Sequence, residues 1–255
     1  MKIGMIGFGN MAQAIYRGLE GKSVVKPDDV YVCAAHYDTL RQRAERYGVH
    51  ACESAQDVID HSELVVLAVK PYQVDDVCAG LDFKGRIVVS VVAGKPFATL
   101  CEIVKNGALL CTIPNTPIAV GQGIVLVESN TNCTGEQWKR FEQLFAPISL
   151  IERIEPEHMS IAMVLASCAP AFTEMYMEAL GDAGVKYGLK RQSAYALAAK
   201  MIEGVGALYL AEQDHPGAMK DAVCSPGGTT IKGVCALEQR GFRGTVIAAV
   251  DAIEQ

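Results

Sequence analysis

The stretch Lys2-Ile3-Gly4-Met5-Ile6-Gly7-Phe8-Gly9-Asn10-Met11-Ala12 constrains this chain more than any other. Ile3, Met5 and Ile6 read as a short apolar strand, and residues 11–16 as the opening of a helix. Between them Gly7, Gly9 and Ala12 fall at the spacing G-x-G-x-x-A. A strand turning this sharply into a helix needs one glycine for the turn and a second where backbone must approach a ligand. A small residue is needed where the helix lies close to the sheet. The free N–H groups of the first helical turn then face an anion, and a pyrophosphate suits them. A second apolar stretch over 30–35, at the expected distance, strengthens a pattern that is weak by itself. The reading is therefore a dinucleotide site at the start of the chain, with no targeting segment ahead of it. A tight strand-to-helix turn without a ligand is the competing reading.

The rest of the first half alternates. Apolar runs at 49–51, 64–69, 86–91, 108–113, 124–127 and 149–151 read as strands. Helices are expected over 38–47, 74–81, 97–105 and 134–145, with Ser54 and Thr134 as caps and Gly48 as a stop. Gly18 and Gly21 are expected to loosen the chain after the first helix. This alternation predicts a doubly wound parallel sheet with helices on both faces, and such sheets take ligands outside the carboxyl ends of their strands. Those ends carry Ala35-His36, Lys70-Pro71, Ala93-Gly94 and Pro114-Asn115-Thr116.

From Glu155 the β-branched runs nearly vanish and helical spacing takes over. Pro170 is expected to interrupt or kink the first of these helices, and Gly181-Asp182-Ala183-Gly184 to end it. A long helix over 191–211 presents Ala194, Leu197, Ala198, Met201, Val205 and Leu208 on one side. Shorter helices follow over 231–240 and 245–253. About a hundred residues cannot hide faces this apolar in so small a bundle, so a homodimer built through the helical half is expected.

Composition narrows the partners. A formal charge of −6, with no basic run, argues against nucleic acid. No apolar span of membrane length and no signal pattern is read, which places the chain away from the bilayer. The nine cysteines form no CxxC pair and lie mostly in apolar text, as free thiols do in a reducing cytoplasm. Five scattered histidines give no metal site.

Ser225-Pro226-Gly227-Gly228-Thr229-Thr230 is the second informative stretch. Two glycines before paired hydroxyls can aim successive backbone N–H groups at a carboxylate, with Ser225, Thr229 and Thr230 as further donors. A Pro-Gly turn with a Thr cap explains the same residues, and both readings stay open. Lys70 is either a ligand for phosphate or carboxylate or a solvated strand end. Asn115 and Thr116, held between two prolines, are candidates for the nicotinamide amide or ribose. No nucleophile with a paired base is present, which suits hydride transfer, where the protein positions and the cofactor reacts. At the end of the second strand stands His36, with Arg41 and Arg43 beyond it, and nothing there repels a 2′-phosphate; NADPH is favoured, with NADH as the alternative.

Taken together, Gly7-Phe8-Gly9-Asn10-Met11-Ala12, Val69-Lys70-Pro71, Ala93-Gly94, Pro114-Asn115-Thr116-Pro117 and Ser225-Pro226-Gly227-Gly228-Thr229-Thr230 resemble, in this order, the pyrroline-5-carboxylate reductases. The resemblance extends over nearly the whole chain and includes residues 178–185. It implies an enzyme that reduces 1-pyrroline-5-carboxylate to L-proline with NAD(P)H, the last step of proline biosynthesis. It also implies an NAD(P)-binding Rossmann domain over 1–153 and an all-helical substrate-binding and dimerisation domain over 154–255, sometimes assembled further. By position, Gly7, Gly9, Asn10 and Met11 would hold the pyrophosphate, and Lys70, Ala93, Gly94 and Asn115 would line the cofactor cleft. Gly227, Gly228 and Thr229 would clasp the substrate carboxylate, and Thr230 would hydrogen-bond the ring nitrogen. Cys111 stands near a position where the family commonly carries Arg, and Ala166-Ser167-Cys168-Ala169 replaces a Ser-Gly-Ser-Gly run. Two other readings follow from these departures: a reductase of a related cyclic imine, or a nucleotide-binding regulatory paralogue without turnover. A β-hydroxyacid-type dehydrogenase would want a lysine within residues 159–179, and none is there.

Overall fold

The computed structural model describes residues 1–254; Gln255, where the expected helical domain ends, lies outside the described residues. The chain divides into two compact units, Met1–Ser167 and Cys168–Gln255.

The first unit is built on an eight-stranded sheet. Its strands are β1 (Ile3–Ile6), β2 (Val30–Cys33), β3 (His50–Ala51), β4 (Leu64–Leu67), β5 (Ile87–Ser90), β6 (Ala108–Pro114), β7 (Gly123–Thr131) and β8 (Ser149–Ile154). Their spatial order is β3-β2-β1-β4-β5-β6-β7-β8. β1, β4 and β5 are buried at every position, as strands sandwiched between helices must be. The pleat sends Ile3, Met5, Leu64 and Val66 into one core and Ile6, Val65, Leu67 and Val88 into the other. Helices α1 (Asn10–Gly21), α2 (Tyr37–Tyr47), α3 (Ala55–His61), α4 (Val74–Cys78), α5 (Phe97–Leu100) and α6 (Gly135–Phe145) complete the two layers. α3 starts where the Ser54 side chain accepts the Asp57 N–H, and α6 where Thr134 and Gln137 cap reciprocally. α5 is a single turn, shorter than the helix expected over 97–105.

The expected all-parallel sheet needs one correction. β6 and β7 are antiparallel, while the other neighbouring pairs are parallel. Residues 115–122 are too few for a crossover helix, so β7 can only return beside β6 in the opposite sense. Gly18 is a second correction. It lies inside α1, and a β-carbon there would overlap the backbone oxygen of Ile118. That glycine lets the helix touch the turn at Thr116–Val120 backbone to backbone instead of loosening the chain.

After β8 a short turn leads to α7 (Met159–Met163), a π-helical turn Val164–Cys168, and α8 (Ala169–Lys186). Pro170 sits in the first turn of α8, where its missing N–H is tolerated, and the π turn absorbs the interruption. The second unit continues with α9 (Arg191–Glu212), α10 (Pro216–Ala222), α11 (Thr229–Gln239) and α12 (Phe242–Glu254). Gly181 and Gly184 do not end α8. A β-carbon on Gly181 would overlap the Tyr195 ring, and one on Gly184 would stand 2.7 Å from the Ala194 side chain. The two glycines let α8 and α9 pack closely, and the chain turns only at Gly188, φ 93°.

Because these helices run on without a break, the expectation of no span of membrane length fails. Pro156–Lys186 and Arg191–Glu212 are each long and apolar enough, by length and composition, with mean hydropathy 1.2. On α9, Ala194 and Ala198 are buried, whereas Leu197 is 62% and Val205 56% exposed. Gly204 and Gly206 have no neighbour within 4 Å of a notional β-carbon, so packing inside this chain does not account for them. The nine cysteines are free; Cys33, Cys78 and Cys111 are buried, Cys235 is exposed, and the other five lie between.

Candidate functional site

The sheet order places its reversal between β1 and β4, where a crevice opens beyond the carboxyl ends of both strands. Gly7 turns the chain there with φ 89°, and its N–H donates to the Cys33 oxygen at 2.9 Å. A β-carbon at this position would stand 2.5 Å from the Ala68 oxygen, so the turn admits only glycine. Gly9 differs. Its φ is an ordinary −83°, and nothing of the protein lies within 4 Å of where its β-carbon would be. Neither backbone conformation nor packing calls for glycine at position 9, and the space above its backbone is open.

Gly9 also precedes α1 as its cap, no side chain caps the helix, and its first turn holds no acidic residue. The N–H groups of Asn10, Met11 and Ala12 thus lie at an uncapped helix start, which is the donor set a pyrophosphate takes. Beneath the loop Phe8, Tyr16 and Tyr47 pack edge to face. Gln13 Nε2 donates to the Phe8 oxygen at 2.9 Å, Tyr47 donates its hydroxyl to Gln13 Oε1 at 3.2 Å, and Tyr16 donates to the Tyr47 oxygen at 2.9 Å. Burial, with Glu20 adding to it, pushes the Tyr16 hydroxyl up to about 12, which keeps it a donor. None of these supports is announced by local sequence pattern.

Around the crevice the other expected residues stand at strand ends. His36 is exposed and precedes α2 without capping it, and Arg41 and Arg43 are exposed on that helix. Lys70 is exposed; its peptide is pinned by Gln73, and its ammonium forms no ion pair among the described residues. Ala93 and Gly94 are exposed after β5, with Gly94 at φ 68° and open space beyond it. Asn115 is the exception. It is 5% exposed, and its amide already holds two backbone partners, Ala166 and Ile124.

Glu128 is a residue that sequence reading missed. Only 3% exposed, it accepts the Phe97 N–H at 2.9 Å and so fixes the far end of the Ala93–Gly94 loop. A carboxylate closing the apolar run Ile124-Val125-Leu126-Val127 is the signal that marks it. Cys111 lies in the sheet core, and burial, with Glu128 next, pushes its thiol up to about 12. It is an inert core residue and not a nucleophile.

In the second unit Ser225-Pro226-Gly227-Gly228 forms a tight turn, with the Gly228 N–H donating to the Ser225 oxygen at 3.0 Å. A β-carbon on Gly228 would overlap the Ser225 hydroxyl, whereas Gly227, at φ 69°, faces open space. α11 begins at Thr229, two residues before the expected Ile231, and Gly228 is its cap with no side-chain hydrogen bond. The reading with a threonine cap therefore does not apply. Thr229 and Thr230 are the first two residues of the helix, exposed, with their N–H groups uncapped. Each unit thus presents a glycine turn followed by a helix start that no side chain caps.

Comparison with known proteins agrees with this geometry. Residues 156–255 match the family model described as pyrroline-5-carboxylate reductase dimerisation, and residues 2–94 match that of NADP oxidoreductase, coenzyme F420-dependent. A pyrroline-5-carboxylate reductase of Treponema pallidum is 37% identical over 99% of this chain and 98% of its own length. The chain belongs to the pyrroline-5-carboxylate reductase family. A reductase of this name from Glycine max is 38% identical over 98% of this chain and 92% of its own. A solved Plasmodium falciparum pyrroline carboxylate reductase with NADP bound superposes with a TM-score of 0.83 at 28% identity, over 99% of this chain and 95% of its own. A Coxiella burnetii pyrroline-5-carboxylate reductase gives 0.86 at 27% identity, covering 99% and 95%. An imine reductase from Pseudomonas, at 15% identity, 86% and 78% coverage and a TM-score of 0.59, shares the fold alone. Membership in the family accounts for an N-terminal sheet unit and a C-terminal helical one within a single chain.

Proposed function

We propose that this chain reduces 1-pyrroline-5-carboxylate to L-proline as an NAD(P)H-dependent oxidoreductase of proline biosynthesis. The observation that carries the reading is the pair of uncapped helix starts, α1 after Gly9 and α11 after Gly228, in a chain of this family. Residues 1–153 serve the nucleotide and residues 154–255 the substrate and the subunit contact. Gly7, Gly9, Asn10 and Met11 bind the pyrophosphate, with Lys70, Ala93 and Gly94 along the same crevice. His36, supported by Arg41, meets the 2′-phosphate and favours NADPH over NADH.

Gly227 and Thr229 take the substrate carboxylate on backbone N–H groups, with Gly228, whose own N–H is held by the Ser225 oxygen, shaping the turn and the Ser225 hydroxyl beside them. When bound, the reduced nicotinamide supplies the hydride for the imine carbon. The protein positions the ring: the Thr230 hydroxyl orients its nitrogen and relays a proton from water, since a threonine is too weak an acid to donate outright. The exposed apolar side chains of α9 are covered by a second copy of the chain, and dimers assemble further. Free thiols in this number suit a cytoplasmic location.

The test is NADPH oxidation with 1-pyrroline-5-carboxylate, followed by Thr230→Ala. Turnover in the wild type, and a loss of about ten- to a hundred-fold in kcat with unchanged NADPH affinity in the variant, is expected. No wild-type turnover beside an active control enzyme rejects the reading. Nucleotide binding without turnover on any cyclic imine would instead assign a regulatory role.

A further inference from the structure

Pro170 lacks the N–H that an α-helix would direct at the carbonyl four residues earlier, which belongs to Ala166. The chain passes this point as the π turn Val164–Cys168, and Ala166 is 4% exposed, which leaves its oxygen little access to water. A carbonyl with two lone pairs and no N–H four residues on is open to a donor from elsewhere in the protein. Asn115 supplies it: its Nδ2 donates to the Ala166 oxygen at 2.9 Å, across 51 residues of sequence. The other end of the same amide accepts the Ile124 N–H at 2.8 Å, and the Asn115 peptide N–H donates to the Ile124 oxygen at 3.1 Å. One side chain therefore ties the end of β6 to the start of β7 and to the π turn. This role needs a donor and an acceptor on one short stem. Aspartate lacks the donor, and leucine lacks both.

We propose that Asn115 is a positioning residue for the reaction: it fixes the π turn from which the chain enters its second unit, and does not bind the nicotinamide through its amide. The carbonyl freed by Pro170 and the amide that fills it form one device. The chain enters its second unit at Cys168, two residues beyond the tied carbonyl. A loosened turn still binds NADPH at Gly7 and Gly9, but it lowers the fraction of complexes that react.

The inference rests on the reductase reading, and the experiment separates the two. Wild-type turnover is measured first, and its absence counts against that reading alone. Asn115→Ala is then compared in the wild-type and Pro170→Ala backgrounds, the second of which returns an N–H to the helix. Thermal melting, NADPH binding by fluorescence titration, and kcat and KM are measured for each. In the wild-type background kcat falls about ten-fold, while the Kd for NADPH and the substrate KM stay within about two-fold. In the Pro170→Ala background the same change lowers kcat by less than about three-fold, and the loss in melting temperature shrinks in parallel. Equal losses in both backgrounds, or a rise in the NADPH Kd that matches the fall in kcat, would overturn the proposal. If Asn115→Ala does not fold in the wild-type background, Pro170→Ala alone decides. The restored N–H competes with Asn115 for Ala166, so kcat falls with NADPH affinity intact; an unchanged kcat overturns the proposal.

Discussion

Gly7 and Gly9 stand two residues apart, and replacing each by alanine separates what the fold needs from what the ligand needs. At Gly9 the new methyl meets no protein atom within 4 Å, and φ of −83° suits alanine. The cost is limited to a poorer helix cap, about 1 kcal/mol at most. The methyl does enter the space assigned to the pyrophosphate. Loss of even one hydrogen bond to charged oxygen, about 1.5–3 kcal/mol, weakens NADPH binding roughly ten- to a hundred-fold. At Gly7 the order is reversed. A φ of 89° and a contact of 2.5 Å with the Ala68 oxygen add strain and overlap to the folded chain itself. Together these cost about 2–5 kcal/mol, or a melting temperature lower by about 5–15 °C. Fluorescence titration with NADPH and thermal melting of both variants read the two effects separately. A Gly9→Ala protein that melts like the wild type and binds NADPH with wild-type affinity would refute the claim that this loop holds the pyrophosphate.

Three further outcomes follow from the packing and the buried thiols. Gly18→Ala drives a methyl into the Ile118 carbonyl and should destabilise the first unit by about 1–3 kcal/mol in denaturant titration, with no ligand present. Glutamate at both Leu197 and Val205, exposed on α9, should convert a dimer to a monomer by light scattering; an unchanged dimer would move the subunit contact elsewhere. Burial holds the Cys33 and Cys111 thiols at about 12 and Cys78 at about 11, above the ordinary thiol value of 9.0. The unfolded chain releases these protons first, so stability is full below about pH 9 and falls as pH rises towards 11–12, by about 1.4 kcal/mol per pH unit for each thiol. Cys111→Ala should reduce that slope, whatever it does to stability at neutral pH.

What the sequence disclosed was local. The glycine turn and its flanking strand and helix are readable because all their determinants lie within a dozen residues. The Ser54 and Thr134 caps are readable for the same reason. The direction of β7 was within reach, since the connector of residues 115–122 is too short for a crossover. Gly18, Gly181 and Gly184 misled because a glycine in a helix looks the same whether it ends the helix or admits a neighbour, and the neighbours Ile118, Tyr195 and Ala194 are set by tertiary structure. Asn115 was readable as a strand-end residue, but its tie to Ala166 was not, because that partner lies 51 residues away. At α11 the glycines and threonines were recognised, while the identity of the cap came only with the backbone.

The missing β-carbon at Gly18 has a mechanical consequence. It presses α1 against the turn at Thr116–Val120, so the helix proposed to receive the phosphates and that turn are held together backbone to backbone. The nucleotide meets a mould already set. Loading it therefore requires little ordering of this unit, and calorimetry should show a small entropic penalty from the protein, with nearly the same heat-capacity change in truncated analogues as their smaller contact area dictates.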